Sequence, residues 1–193
     1  MQQLLLRADQ AELRLCLRIN GWSRSPAVRR GFRIVSRLGD GVLWYSVLAL
    51  LAALGGPAGV RGMLHVGLTS LVGVQFYAYL KNRLVRPRPY VSHGQIQCQI
   101  APLDQYSFPS GHTLHAVLFT SMFAVYAPAV SIALLPFVAL IALSRIVLGL
   151  HYPSDVAVGA LLGLLIAAFS LTLVAPVAID YATGWHTFAN KWF

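Results

Sequence analysis

The sequence predicts an all-α integral membrane protein: a bundle of five transmembrane helices, or six if the N-terminus holds a further span, with an N-terminal amphipathic interfacial helix. Three observations predict it. Of the 193 residues, 57% are hydrophobic and 11% are charged, whereas a soluble domain carries roughly 25% charged residues. The apolar residues lie in uninterrupted blocks, not in the stripes of a soluble amphipathic helix. The formal net charge of +9 is gathered in residues 1–38 and around Lys81–Arg88. That distribution suits anionic headgroups and a phosphorylated substrate and gives no basic face for nucleic acid.

Residues 1–20 set leucines at 4, 5, 6, 13, 15 and 17 among Arg7, Asp9, Glu12, Arg14 and Arg18. This pattern predicts a helix lying on the membrane surface, too charged to cross it and lacking the apolar core of a signal peptide. Asn20-Gly21 breaks it, and a second basic stretch runs from Arg24 to Arg37 until Gly39-Asp40-Gly41 ends it. Gly41–Val60 is uncharged and predicts the first span, with Gly55-Gly56-Pro57 at its exit. Gly62–Leu80 predicts the second, running into Lys81. Residues 84–108 are polar and proline-rich and read as a loop.

Between Thr113 and Ser144 there is no charged residue, and Pro128 falls near the middle. A proline there ends one helix and starts the next. The expectation is a tight hairpin of His112–Tyr126 and Val130–Val147, kinked at Pro136. Val156–Ile179 is the last expected span, followed by the interfacial aromatics Tyr181, Trp185, Phe188 and Trp192. The chain is thus one membrane domain over 1–193, with an interfacial segment at 1–40, a catalytic bundle at 41–180 and a tail at 181–193. Cys16 and Cys98 have no metal-type spacing and read as unpaired thiols, bridged only if both face an oxidising compartment.

Alternating these spans brings Lys81, Arg88, His112, Arg145, His151 and Asp155 to one membrane face. Ionisable residues converging at helix ends in a bilayer mark a functional site. Lys81, Arg88 and Arg145 suit a phosphoryl group, the guanidinium fork meeting two oxygens at once. In Pro109-Ser110-Gly111-His112, Ser110 is a helix N-cap and Gly111 allows close backbone approach to an oxyanion at the helix N-terminus. His151 and Asp155 form a reactive pair, the carboxylate fixing the tautomer and leaving the other ring nitrogen as nucleophile. His112 then serves as general acid and, in the second step, general base. His115 is expected to pack or hydrogen-bond beside the pocket, and Asp104 and Tyr106 to shape its entrance. Asp40 is expected to cap the first span, with pairing to a site arginine as the alternative. Arg83 and Arg86 match no cluster position and read as interfacial side chains. No His, Cys, Asp or Glu cluster has metal-ligand spacing, so neither a metal nor another cofactor is expected.

The three clusters, Lys81-x6-Arg88-Pro89, Pro109-Ser110-Gly111-His112 and Ser144-Arg145-x5-His151-x3-Asp155, resemble the three signature motifs of the type 2 phosphatidic acid phosphatase superfamily at every position. The resemblance covers roughly residues 40–180. It implies an all-α membrane bundle in which Lys81, Arg88, Ser110, Gly111 and Arg145 bind phosphate. It further implies that His112 is the general acid and that His151 forms a phosphohistidine with Asp155 behind it. The superfamily also holds soluble vanadium-dependent haloperoxidases, but the apolar spans put this chain with the membrane members. Its shortness, and the brief loop between the first two motifs, resemble the bacterial undecaprenyl pyrophosphate phosphatases. Undecaprenyl pyrophosphate is therefore the first candidate substrate, with phosphatidylglycerophosphate, phosphatidate and lipid A as alternatives. A non-catalytic lipid-phosphate binder or transporter is the alternative of another class. The implied location is the bacterial inner membrane. The resemblance implies an outward-facing site, while eight arginines against two acids in residues 1–38 put the motif face in the cytoplasm by the positive-inside rule.

Overall fold

The computed structural model describes residues 2–174, with side chains from Asp9 onward. Its elements are α1 (Gln2–Asn20), a 3-10 turn (Gly21–Arg24), α2 (Pro26–Leu38), α3 (Val42–Leu54), α4 (Gly56–Leu84), α5 (Pro89–Ser92), α6 (Gly111–Tyr126), α7 (Pro128–Val147) and α8 (Pro153–Leu173). The fold is all-helical. The end of the expected last span beyond residue 174, the aromatics after it and the side chains of Leu4, Leu5, Leu6 and Arg7 lie outside the described residues.

Prolines account for most of the helix starts: Pro26, Pro57, Pro89, Pro128 and Pro153 each stand in a first turn, where the missing N–H costs nothing. The expected first span is shorter than Gly41–Val60. Gly56 takes φ +56°, and with Pro57 behind it α3 stops at Leu54 and α4 begins at once. Helices long and apolar enough to cross a bilayer alone are Gly56–Ser92, which carries α4 into α5, Pro128–Val147 and Pro153–Leu173. Helices α2 and α3, bent by 46° at their junction, pass the same test only as a pair.

Helix α6 is the axis of the bundle and packs against α4, α7 and α8. Its Leu114, Leu118, Phe119, Met122 and Phe123 are all buried, and Phe119 stacks on Trp44 of α3 at 5.4 Å. Against α8 the contact is backbone to backbone. A Cβ added at Gly163 would stand 2.3 Å from the Leu114 carbonyl oxygen, and one at Gly159 2.5 Å from that of Ser110. Lipid gives helices no hydrophobic reason to associate, so close packing through small residues supplies the attraction. At the far end of the bundle His65 joins the Tyr126 hydroxyl at 2.6 Å and Ser170 Oγ at 2.7 Å, tying α4, α6 and α8 together.

Helix α1, expected as an amphipathic helix on the membrane surface, is also tied to the bundle. It packs on α7 and α8, burying Cys16 in a small cluster with Ile96, Ile146 and Tyr152. Asn20 fastens its end, its Nδ2 donating to the carbonyls of Gln97 at 3.0 Å and Val147 at 2.9 Å. Burial first, then the nearby charge of Glu12, pushes the Cys16 thiol up to about 12. Both cysteines are free thiols.

Candidate active site

The C-terminal ends of α4 and α7 and the N-terminal ends of α6 and α8 meet on one face. Between them lies a cavity of about 170 Å³ lined by Lys81, Arg88, Gly111, His112, His115, Arg145 and His151, with Asp40 and Asp104 at its edge. The rest of its wall is aromatic and aliphatic: Trp44, Tyr45, Val74, Tyr77, Leu103 and Phe119. Of the residues expected from sequence, Ser110, Asp155 and Tyr106 do not line it.

Each cation is brought in by a different device. Val85, in the left-handed region at φ 38°, ends α4 after Lys81 and turns the chain toward Arg88. Arg88 is buried and fixed by donating Nη1 to the Leu150 carbonyl at 2.9 Å. Lys81 Nζ and Arg88 Nη2 donate to the two oxygens of Asp104 at 2.6 and 2.7 Å. Burial alone would raise the Asp104 carboxyl, but its bond to Lys81 and the charges of Lys81 and Arg88 hold it below the usual carboxylate range. Arg145 is buried in the last turn of α7, with Nη1 donating to Ser36 Oγ of α2.

Ser110 holds the N-cap position of α6, but its hydroxyl bonds Thr113 Oγ1 at 2.9 Å and no backbone amide, and its own N–H donates to the Asp155 carbonyl at 3.0 Å. It couples α6 to α8, and the place on the cavity wall goes to Gly111. Gly111 packs against Tyr77, whose ring carbon would stand 3.1 Å from an added Cβ. Asp40 does not cap α3: it reaches across to His112 and hydrogen-bonds Nε2. The capping expectation fails because the α2–α3 bend aims Asp40 at α6, where the His112 imidazole is the better partner. His115 lines the cavity, its Nδ1 bonded to the Gly111 carbonyl at 2.9 Å and its ring edge-on to Tyr77.

His151 sits in the link between α7 and α8, its N–H donating to the Arg145 carbonyl at 3.1 Å. Gly149, at φ +77°, makes that link possible: any Cβ there would meet the Gln97 carbonyl oxygen at 2.4 Å. Burial, then the charges of Arg145, Arg88, Lys81 and His112, push the His151 imidazole well below its ordinary pKa, so the ring is neutral at neutral pH. Its Nδ1 stands 3.6 Å from Asp155 Oδ2, longer than a hydrogen bond. Asp155 is fully buried and held on both oxygens: Oδ2 accepts the Tyr152 N–H at 2.8 Å, and Oδ1 accepts Arg86 Nη1 at 2.6 Å. Arg86, read from sequence as an interfacial side chain, is thus tied into the site. The signal that could have found it is the doubled Arg86-Pro87-Arg88-Pro89.

The family model of the PAP2 superfamily matches residues 62–177, more than half of the chain and all three clusters. This chain belongs to the PAP2 superfamily. Among curated PAP2 relatives it is 36% identical to the decaprenylphosphoryl-5-phosphoribose phosphatase of Mycolicibacterium smegmatis over 138 residues, 69% of this chain and 72% of that protein. Among solved structures it is similar to the crystal structure of Aquifex aeolicus LpxE, with a TM-score of 0.72, 27% identity, and coverage of 83% of this chain and 94% of that one. It also shares its fold with the transmembrane PAP2-type phosphatidylglycerolphosphate phosphatase from Bacillus subtilis, at a TM-score of 0.66 and 22% identity over 90% of this chain and 87% of that one. The PAP2 chain described here is an integral membrane phosphatase of lipid phosphates.

Proposed function

We propose that this PAP2 protein removes a terminal phosphate from a polyprenyl-linked lipid in the bacterial plasma membrane, through a phosphohistidine on His151 and without a metal ion. The observation that carries the reading is the convergence of Lys81, Arg88 and Arg145 with His112 and a neutral His151 on one cavity. In the first step His151 Nε2 attacks phosphorus and the bond from phosphorus to the lipid oxygen breaks, with His112 giving that oxygen its proton. In the second, water attacks the phosphohistidine, His112 takes the water proton, and inorganic phosphate leaves with His151 restored. Asp155 orients His151; catalytic hydrogen bonds often tighten only around substrate, and a short approach closes the 3.6 Å gap. Three fixed cations supply the charge a metal would otherwise bring, and they repel a divalent cation from the same space.

An apolar groove of about 460 Å³ between α3 and α4, including Leu48, Met63, Leu64 and Leu71, shares Tyr45 with the cavity. It offers the substrate's hydrocarbon chain a path from the phosphate site into lipid. The likeness to a decaprenylphosphoryl-5-phosphoribose phosphatase favours a phosphomonoester on a polyprenylphosphoryl sugar over undecaprenyl pyrophosphate. The test is phosphate release in EDTA by the detergent-purified protein, with His151→Ala beside it. The panel is decaprenylphosphoryl-5-phosphoribose, undecaprenyl pyrophosphate, phosphatidylglycerophosphate, phosphatidate and lipid A. Release from a polyprenyl lipid, lost in the variant, is the expected result. Activity retained by His151→Ala overturns the mechanism, and binding without release from any lipid returns the chain to the class of lipid-phosphate binders.

A further inference from the structure

Behind His151 and away from the cavity, Arg86 makes more polar contacts than a side chain of the lipid interface needs. Its Nη1 donates to Asp155 Oδ1 at 2.6 Å and to Ser154 Oγ at 2.7 Å, and its Nη2 donates to Glu12 Oε2 at 2.8 Å. The guanidinium lies 4.0 Å over the ring of Tyr152. Glu12 closes the arrangement, its Oε1 accepting the Ser154 N–H at 2.8 Å. Both Glu12 oxygens are therefore spent on the first turn of α8 and on the arginine that grips it. Glu12 belongs to α1, well before the stretch 62–177 that matches the family.

A planar fork with several fixed donors holds a carboxylate in position and orientation, which an ammonium cannot do. Of the two Asp155 oxygens, one is claimed by Arg86 and the other stands toward His151. We propose that Arg86, clamped by Glu12 of α1, is a positioning residue for the reaction: it fixes Asp155, and through it the ring of His151, so that α1 forms the outer wall of the active site. The inference rests on the role proposed above for His151. It also assigns α1 a catalytic duty besides lying at the membrane.

The test uses the full-length protein with Arg86→Gln, Arg86→Lys and Glu12→Gln beside wild type and His151→Ala. One readout is kcat and KM against pH on the lipid that wild type hydrolyses. Another, independent of turnover, is the imidazole titration of His151 by nitrogen-15 NMR, assigned from its loss in His151→Ala. The groups facing His151 are Lys81 of α4, Arg88 after it, His112 of α6, Arg145 of α7 and Asp155 of α8, and none of them is substituted in these variants. Arg86→Gln should lower kcat about tenfold to a hundredfold, the range for outer partners of a functional histidine. KM should stay within about twofold, because the cations that hold phosphate are untouched. With the guanidinium gone, Asp155 acts on His151 alone, so the His151 titration and the acid limb of kcat both move to higher pH. Arg86→Lys, which keeps the charge, should bring the acid limb back while kcat stays partly reduced. Glu12→Gln should move both readouts in the direction of Arg86→Gln, by less. Wild-type kcat and pH profile in Arg86→Gln overturns the inference, as does a lower melting temperature with unchanged turnover per folded molecule. If wild type releases phosphate from no lipid, the reading of His151 fails separately, and an unmoved His151 titration in Arg86→Gln still overturns the positioning role.

Discussion

Lys81 Nζ and Asp104 Oδ2 stand 2.6 Å apart at the mouth of the cavity, and the same carboxylate reaches Arg88 at 2.7 Å. Two of the three cations proposed to receive phosphate already hold an anion belonging to the protein. A substrate phosphate bound as proposed would take the place of Asp104, whose side chain is 36% exposed and sits on the loop beside Leu103.

Replacing Asp104 with Asn should therefore tighten binding of a phosphate analogue. A half-exposed ion pair is worth about 1 kcal/mol, or about fivefold in affinity. Inhibition by orthovanadate measures it: a lower inhibition constant is expected, and a higher one would mean that Asp104 holds Lys81 and Arg88 in place for the substrate.

Stability should depend on pH through His151. Its folded pKa lies below its ordinary value of 6.5, so as pH falls through that value the unfolded chain takes up a proton that the folded protein refuses. Above about pH 7 the group contributes nothing to the pH dependence. Below about pH 6.5 it costs up to about 1.4 kcal/mol per pH unit until the folded group also titrates. Melting curves in detergent from pH 8 to pH 5 should show a fall for wild type that His151→Gln reduces. Parallel curves for the two proteins would refute this.

The hydrogen bond from His112 Nε2 to Asp40 carries a prediction about leaving groups. If Asp40 supports His112 as a general acid, Asp40→Asn should slow release from a lipid alkyl phosphate about tenfold or more, within the 10²–10⁴ that such catalysis supplies. Release from p-nitrophenyl phosphate, whose leaving group needs no proton, should change far less. Equal losses on both substrates would limit Asp40 to shaping the pocket.

The seam between α6 and α8 should reject any side chain. Gly163→Ala drives a methyl against the Leu114 carbonyl and Gly159→Ala against that of Ser110, neither of which can move aside. Overpacking of this kind costs about 1–3 kcal/mol. Both variants should melt earlier, and Gly159→Ala should also lose turnover because it presses on the helix start that carries His112. A wild-type melting temperature for either would show that the helices can part without cost.

The helix pattern was largely legible because prolines punctuate it: the break between Tyr126 and Pro128 and the ends of α7 are found at or near the expected residues. The α3–α4 break falls at Gly55-Gly56-Pro57, where the exit of the first span was expected, but the apolar run on to Val60 belongs to α4, because hydropathy looks the same whether such a run crosses lipid once or turns. The residues of the three clusters could be named in advance because each sits beside its motif partners in sequence. Asp40 with His112 and Arg86 with Asp155 could not, since those partners are 72 and 69 residues apart and meet only once the helices pack. Gly159 and Gly163, four residues apart on α8, are a sequence sign of close helix packing but do not name α6 as the partner.

That glycine seam also fixes how the two helix starts at the cavity stand to one another. Helix α6 begins with His112, proposed as the proton donor, and α8 follows directly on His151, proposed as the nucleophile, and the Ser110 N–H bonded to the Asp155 carbonyl at 3.0 Å pins their starting points together. A slip of one residue between the two helices amounts to about 1.5 Å of travel and 100° of rotation. Either would carry acid and nucleophile out of reach of one phosphorus atom. The glycines thus act as the teeth of a ratchet that allows a single setting, and with it one spacing of His112 from His151.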